Sequence, residues 1–131
     1  MPAAESYPDD LRYHAEHDWA RVDGDEATLG ITWFAQDSLG ELVHYEAPEV
    51  GAIVTKDASY GEVESVKAVS DIVAPLSGEV LAVNEKVVAE PETVNDDPYG
   101  EGWLIRVRMS DTSELHALMD AEAYRAHVAE Q

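Results

Sequence analysis

The stretch GEVESVKAVSDIVAPLSGEVLAV (residues 61–83) decides the fold. The pattern G-E-V-x-x-V occurs in it twice, at residues 61–66 and again at 78–83. Each copy alternates like a short strand, and the repeat predicts two similar hairpin halves in one sandwich. The first copy pairs with VSDIVA (residues 69–74) about a turn centred on Lys67 and Ala68. That register sets Val66 opposite Val69, Ser65 opposite Ser70, Glu64 opposite Asp71 and Val63 opposite Ile72. Val63 and Ile72 then form a core pair. Two features run against ordinary hairpin design. The turn has neither Asn nor Gly, and Glu64 and Asp71 become like-charged cross-strand neighbours. Local rules broken together at one place point to function.

Further strand signals extend in both directions. DWARV (18–22) and ATLGI (27–31) flank an Asp-Gly turn and make a first hairpin. Thr32 caps a short internal helix that Gly40 stops. ELVHYEA, AIVT, SYGEVESV, DIVAPL, GEVLAV and WLIRVRM read as strands, separated by turn residues at Pro75, Ser77, Gly78, Asn84 and in NDDPYGEG (95–102). Many short strands at this spacing predict a mainly β sandwich or barrel. Residues 1–10 read as a loose N-terminal arm. Residues 113–131 read as a C-terminal helical segment capped at Ser113 and Asp120. No linker divides the chain, so residues 1–131 are expected to form a single domain.

The chain has 28 acidic and 8 basic residues, a formal charge of −20. Such a field repels nucleic acid and anionic membranes and favours basic partner surfaces; acidity also serves solubility. No apolar run approaches membrane-spanning length, and the N-terminus has no signal- or transit-peptide pattern, so a cytoplasmic protein is expected. There is no cysteine. Disulfides and thiolate chemistry of the chain itself are excluded, and any sulfur redox chemistry requires a cofactor.

Lys67 is one of three lysines. A surface lysine is ordinarily just solvated, but this one stands on a protruding tip, where a modifying enzyme can reach it and a tethered group can swing between partners. Other chemistries find less support. HAEH (14–17) supplies half a metal site without the remaining ligands, DGDE lacks the distal ligands of a calcium loop, and NDDPYGEGW reads as a turn. No catalytic residue and no metal site are expected. G-x-S-x-G, P-loop and dinucleotide-binding patterns are missing from the sequence.

VESVKAVSD (63–71) resembles the lipoyl-attachment segment of the glycine cleavage system H proteins. HDWARVDGDEATLGIT, AQDSLGELVHYEAPEVG, APLSGEVLAVNE and NDDPYGEGWLIRV resemble that family in the same order, covering residues 11–128. A biotin carrier would flank its lysine with methionines, and a 2-oxo acid dehydrogenase lipoyl domain would place Asp before it; here Val66 and Ala68 flank Lys67. The resemblance implies a lipoyl/biotinyl-type β-sandwich (a hybrid barrel) with a short internal helix and a C-terminal helix. It implies lipoate in amide linkage on Lys67, with Glu64, Ser65 and Ala68 completing the attachment motif. It further implies a monomeric carrier, not an enzyme. The carrier would take an aminomethyl group from pyridoxal-phosphate glycine decarboxylase to tetrahydrofolate-dependent aminomethyltransferase. It would pass reducing equivalents to the FAD enzyme dihydrolipoamide dehydrogenase, and it would be loaded by lipoylating enzymes. Acids near the loaded arm in the family match Asp18 and Asp71 here, with His17 beside them. The family usually has Glu where this chain has Asp18, and often Ser where it has Glu16.

Overall fold

Two antiparallel sheets face one another across the main core. The computed structural model describes residues 3–131. The larger sheet has the order β1-β2-β3-β9-β8-β5, formed by β1 (Arg12–His14), β2 (Asp18–Asp23), β3 (Glu26–Ile31), β9 (Ile105–Met109), β8 (Gly78–Val83) and β5 (Ile53–Val54). The smaller is β4 (Leu42–Glu46), β6 (Ser59–Ser65) and β7 (Val69–Val73), in the order β4-β6-β7. Leu29, Ile31 and Val107 from the first sheet and Leu42, Tyr45, Val63 and Ile72 from the second fill the space between them. The expected mainly β sandwich is the observed architecture.

The two copies of G-E-V-x-x-V lie in different sheets, on β6 and β8. Their glycines answer the same steric demand. A Cβ at Gly61 would run into the Glu46 carbonyl oxygen, and one at Gly78 into that of Arg108. In both, the neighbouring backbone approaches too closely for a side chain.

The β6–β7 hairpin forms where it was expected, but two residues away in register. Glu64 pairs with Val69, Val63 with Ser70, Glu62 with Asp71 and Gly61 with Ile72. Residues 65–68 therefore form a four-residue loop. A shift of two leaves every side chain on its expected face, so Val63 and Ile72 both remain buried. The expected clash of Glu64 with Asp71 gives way to Glu46, Glu62 and Asp71 in one exposed row across the sheet. The turn chemistry comes from Ser65. Its hydroxyl accepts the N–H groups of Lys67 (3.2 Å) and Ala68 (3.1 Å), standing in for the absent Asn or Gly.

Helix α1 (Trp33–Leu39) begins at Thr32, whose hydroxyl accepts the Ala35 N–H, and ends at Gly40 with φ +85°. Helices α2 (Glu85–Ala89) and α3 (Thr93–Asp96) occupy segments that read as turns, because Asn84 and Asn95 are turn residues and helix-cap or helix-end residues alike. Asn84 caps α2 through the Lys86 N–H while donating to the carbonyls of Glu101 and Trp103. At the C-terminus a 3₁₀ helix (Thr112–Ala117) is capped by Asp111 rather than Ser113, and α4 (Ala121–Ala129) by Asp120 as expected.

The N-terminal arm read as residues 1–10 begins outside the described residues. From residue 3 onward it is held to the body. Tyr7 and Leu11 are buried, Ser6 accepts the Tyr99 hydroxyl, and Arg125 of α4 clasps the Tyr7 carbonyl and the Asp9 carboxylate. Tyr7 and Leu11 belong to a second, aromatic cluster in which Tyr13 stacks on Tyr124 with ring centroids 4.6 Å apart. Among the described residues no helix is long and apolar enough to cross a membrane.

Gly78→Ala is expected to lower the free energy of unfolding by about 1–3 kcal/mol, the usual cost of forcing an extra group into a packed site. Urea unfolding should show a lower midpoint at unchanged slope. A wild-type midpoint would mean that the β8–β9 backbone yields without cost.

Candidate functional site

Lys67 stands at the tip of the β6–β7 hairpin and is exposed, with Val66 beside it 75% exposed. Its aliphatic stem does not extend straight into solvent. It lies over Gly40, where an added Cβ would sit 3.7 Å from Lys67 Cε. The amine is thereby carried to the C-terminal end of α1.

On one side of that helix end lies a groove of about 280 Å³ between α1, the β1–β2 corner and β7. Glu16, His17, Phe34, Leu39, Ser70 and Asp71 are among the residues that line it. On the other side a depression of about 520 Å³ is lined by Asp37, Gly40, Glu41, Glu92 and Asp96 among others. A larger hollow of about 680 Å³, between residues 5–9 and α4, contains none of the residues singled out from the sequence.

His17 is the best-defined polar group of the groove. It takes φ +74°, outside the range most residues adopt, and so turns its ring inward. The ring lies against Phe34, with centroids 4.6 Å apart, and Nδ1 is 2.8 Å from the Tyr124 hydroxyl. That hydroxyl is also 2.8 Å from Thr32 Oγ1. A chain of hydrogen-bonding groups thus links the groove to the cap of α1. Burial, and then His127 nearby, lower the His17 pKa and favour the neutral imidazole. His14 faces elsewhere and meets Asp57 at 2.7 Å, so the two histidines of HAEH do not converge.

Asp71 and His17 share the groove, but Asp18 is not among its lining residues. Asp18 opens β2 and is 2% exposed, and its Oδ2 has no hydrogen-bond partner among the described residues. Burial first, and then the charge of Glu16, push its carboxyl well above the ordinary carboxylate range. Tyr60 of the facing sheet has a buried hydroxyl that is likewise unpartnered. Its pKa is raised by burial, then by Tyr45 and Asp18.

Within the attachment motif, Glu64 points outward between His44 and Val69, Ser65 turns inward, and Ala68 closes the loop. The groove walls from α1 were missed in the sequence. The signal for them was the spacing of Phe34 and Ser38, one helical turn apart on the same face. The nearness of Gly40 to Lys67 left no signal in the sequence.

The glycine cleavage H-protein family model matches residues 11–131. The chain belongs to that family. It is 54% identical to the glycine cleavage system H protein of Anaeromyxobacter sp. (strain K) over 124 residues, which is 95% of this chain and 97% of that protein. It is 50% identical to the H protein of Symbiobacterium thermophilum over 123 residues, covering 94% and 96% of the two chains. The crystal structure of an H protein from Mycobacterium marinum superposes with a TM-score of 0.82 at 40% identity, covering 91% of this chain and 96% of that one. Proteins of the H-protein family carry lipoate in the glycine cleavage system and are carriers rather than catalysts. The chain is thus a lipoyl-carrier component of that system.

The buried Asp18 makes a pH prediction. A folded-state pKa raised above the unfolded one means the folded protein binds the extra proton. The contribution of Asp18 to stability therefore falls as pH rises above its unfolded pKa, by up to about 1.4 kcal/mol per pH unit until the folded pKa is passed. Asp18→Asn does not titrate, so urea unfolding measured from pH 4 to 7 should show the variant gaining on wild type as pH rises from 4 until the folded pKa of Asp18 is passed. A constant difference across that range would place the ionised carboxylate in a satisfied site.

Proposed function

We propose that Lys67 bears the lipoyl group and that the protein shuttles an aminomethyl group from glycine decarboxylase to aminomethyltransferase. Reducing equivalents then leave through dihydrolipoamide dehydrogenase. The observation that carries this reading is the placement of Lys67. It is the exposed lysine of a hairpin tip, its stem passes over Gly40, and a lined groove opens beside the helix that Gly40 ends. Bound lipoate supplies a disulfide that opens and closes by thiol exchange, chemistry that a chain without cysteine needs from outside.

The chain's own residues supply position and electrostatics. Asp71, exposed on β7 at the groove edge, is suited to hold a cationic amine at the end of the loaded arm. His17 is half-buried and favoured neutral, and would line the same groove without repelling that amine. Asp18 would act on it only after a structural change, because its carboxyl is enclosed and does not line the groove. Glu64 faces outward next to the loop, where a lipoylating enzyme can contact it. The continuous family match over residues 11–131 supports one carrier domain. The charge of −20 supports basic partner surfaces and neither nucleic acid nor membrane. A monomer working in the cytoplasm completes the reading.

Lys67→Ala is expected to keep the wild-type unfolding midpoint, within about 0.5 kcal/mol, because an exposed loop lysine contributes little to packing. It should show no lipoyl mass increment when co-expressed with a lipoylating enzyme and should not support glycine cleavage in a reconstituted system. Activity in that variant would sink the assignment. Affinity for the partner enzymes should fall steeply as ionic strength rises and the screening length drops below about 10 Å. Salt-independent binding would count against docking by charge.

A further inference from the structure

Ser65 is 5% exposed although it lies one residue from Val66, which is 75% exposed. A serine beside an exposed loop would ordinarily offer its hydroxyl to water. Here the oxygen is enclosed and fully engaged. It accepts from the Lys67 N–H at 3.2 Å and the Ala68 N–H at 3.1 Å, and it donates to the Ala68 carbonyl at 3.3 Å. The Ser65 N–H donates to that same carbonyl at 2.8 Å. The hydroxyl thus occupies the place that a backbone carbonyl takes in closing a β-turn. Val66 and Ala68 have no side-chain acceptor for this purpose, and the loop has no glycine.

We propose that Ser65 is a positioning residue for modification of Lys67. Its hydroxyl holds the Lys67 and Ala68 amides and so presets the backbone of the attachment lysine in the form that a lipoylating enzyme binds. The proposal rests on the reading of Lys67 as the lipoyl site. Losing the hydroxyl frees the Lys67 and Ala68 amides to pair with water and leaves the Ala68 carbonyl held by the Ser65 N–H alone, and the loop then samples other conformers. The apparent affinity for the modifying enzyme falls by the fraction of loops still in the competent form. The chemical step itself is untouched once the loop is bound. The Lys67 amine attacks the acyl carbon of lipoyl adenylate and the amide C–N bond forms. The acyl C–O bond breaks, AMP leaves with that oxygen, and the amine's proton passes to solvent. The effect therefore belongs in KM and not in kcat. Glu64 acts through an outward-facing carboxylate and would leave the loop amides unchanged.

The test uses unmodified full-length protein with a purified lipoate–protein ligase, lipoate and ATP, followed by intact mass. Ser65→Ala is expected to raise KM about tenfold with kcat near wild type, the scale set by a lost net hydrogen-bond contribution. Ser65→Thr, which keeps an acceptor, should restore KM, and Ser65→Gly, which gives only flexibility, should not. Amide hydrogen exchange at Lys67 and Ala68 should quicken in the Ala and Gly variants and stay slow in Thr. A wild-type KM for Ser65→Ala overturns the proposal, as do a fall confined to kcat and restoration by Gly but not by Thr. If the wild-type chain is modified and these results follow, both readings stand. If wild type takes no lipoyl group at Lys67, the attachment reading fails and carries this one with it. Thermal unfolding of each variant separates these outcomes from loss of fold.

Discussion

Asn95 ties together the segments on which the site is built. It lies in α3 and is buried, and its side chain makes three hydrogen bonds. The amide nitrogen donates to Gln36 Oε1 and to the Gly40 carbonyl, each at 2.9 Å, and the oxygen accepts the Leu42 N–H at 2.9 Å. Its backbone carbonyl also takes the Ala3 N–H. One enclosed amide thus sets where α1 ends, where β4 begins and where the N-terminal segment attaches. A buried polar group fully satisfied in this way specifies one arrangement, because each alternative leaves a donor or acceptor unpaired. The position of Gly40, over which the Lys67 stem passes, follows from it.

The smaller sheet holds the Lys67 loop out while keeping its core closed. Val63 and Ile72 anchor β6 and β7 with 1% exposure each, and the loop projects only four residues beyond the last strand pair. On the outer face three carboxylates align across the strands, at Glu46, Glu62 and Asp71. Like charges in such a row oppose pairing, although water screens exposed groups. The anchoring pair is apolar and deep, so the sheet tolerates a surface shaped for partners.

Two acids that look equivalent in sequence have opposite surroundings. Asp71 is exposed at the groove edge, whereas Asp18 is enclosed, absent from the groove lining, and driven toward the neutral form by burial. His17, next to Asp18 in the chain, shares the groove with Asp71 and is held by Tyr124 and Phe34. A charged loaded arm would meet an exposed carboxylate and a neutral imidazole first. The enclosed acid lies further in, beyond the reach of an arm that only rests on the surface.

The alternation of Val63 and Ile72, the cap at Thr32 with the stop at Gly40, and the exposed position of Lys67 at a hairpin tip were all legible in the chain, because local periodicity and backbone preference act over a few residues. The repeat G-E-V-x-x-V predicted two similar hairpin halves; only the first copy lies in a hairpin, whereas the second, β8, is separated from its partner β9 by α2 and α3, and what the copies share is a glycine at a close backbone approach. The helices after Asn84 and at Asn95 were not legible, since the same residue type serves turns and helix ends and only the surrounding packing chooses between them. The register of the β6–β7 hairpin was missed by two residues, because alternation fixes which face a side chain takes but not which partner it meets. What the sequence determined by itself is a β-rich, cysteine-free, acidic carrier with one lysine set apart. What tertiary structure alone decided is that Gly40 lies under the lysine stem, and that Asp18 is buried while Asp71 is exposed. Those are contacts between segments far apart in the chain, or depend on burial by such segments, and no local preference encodes them.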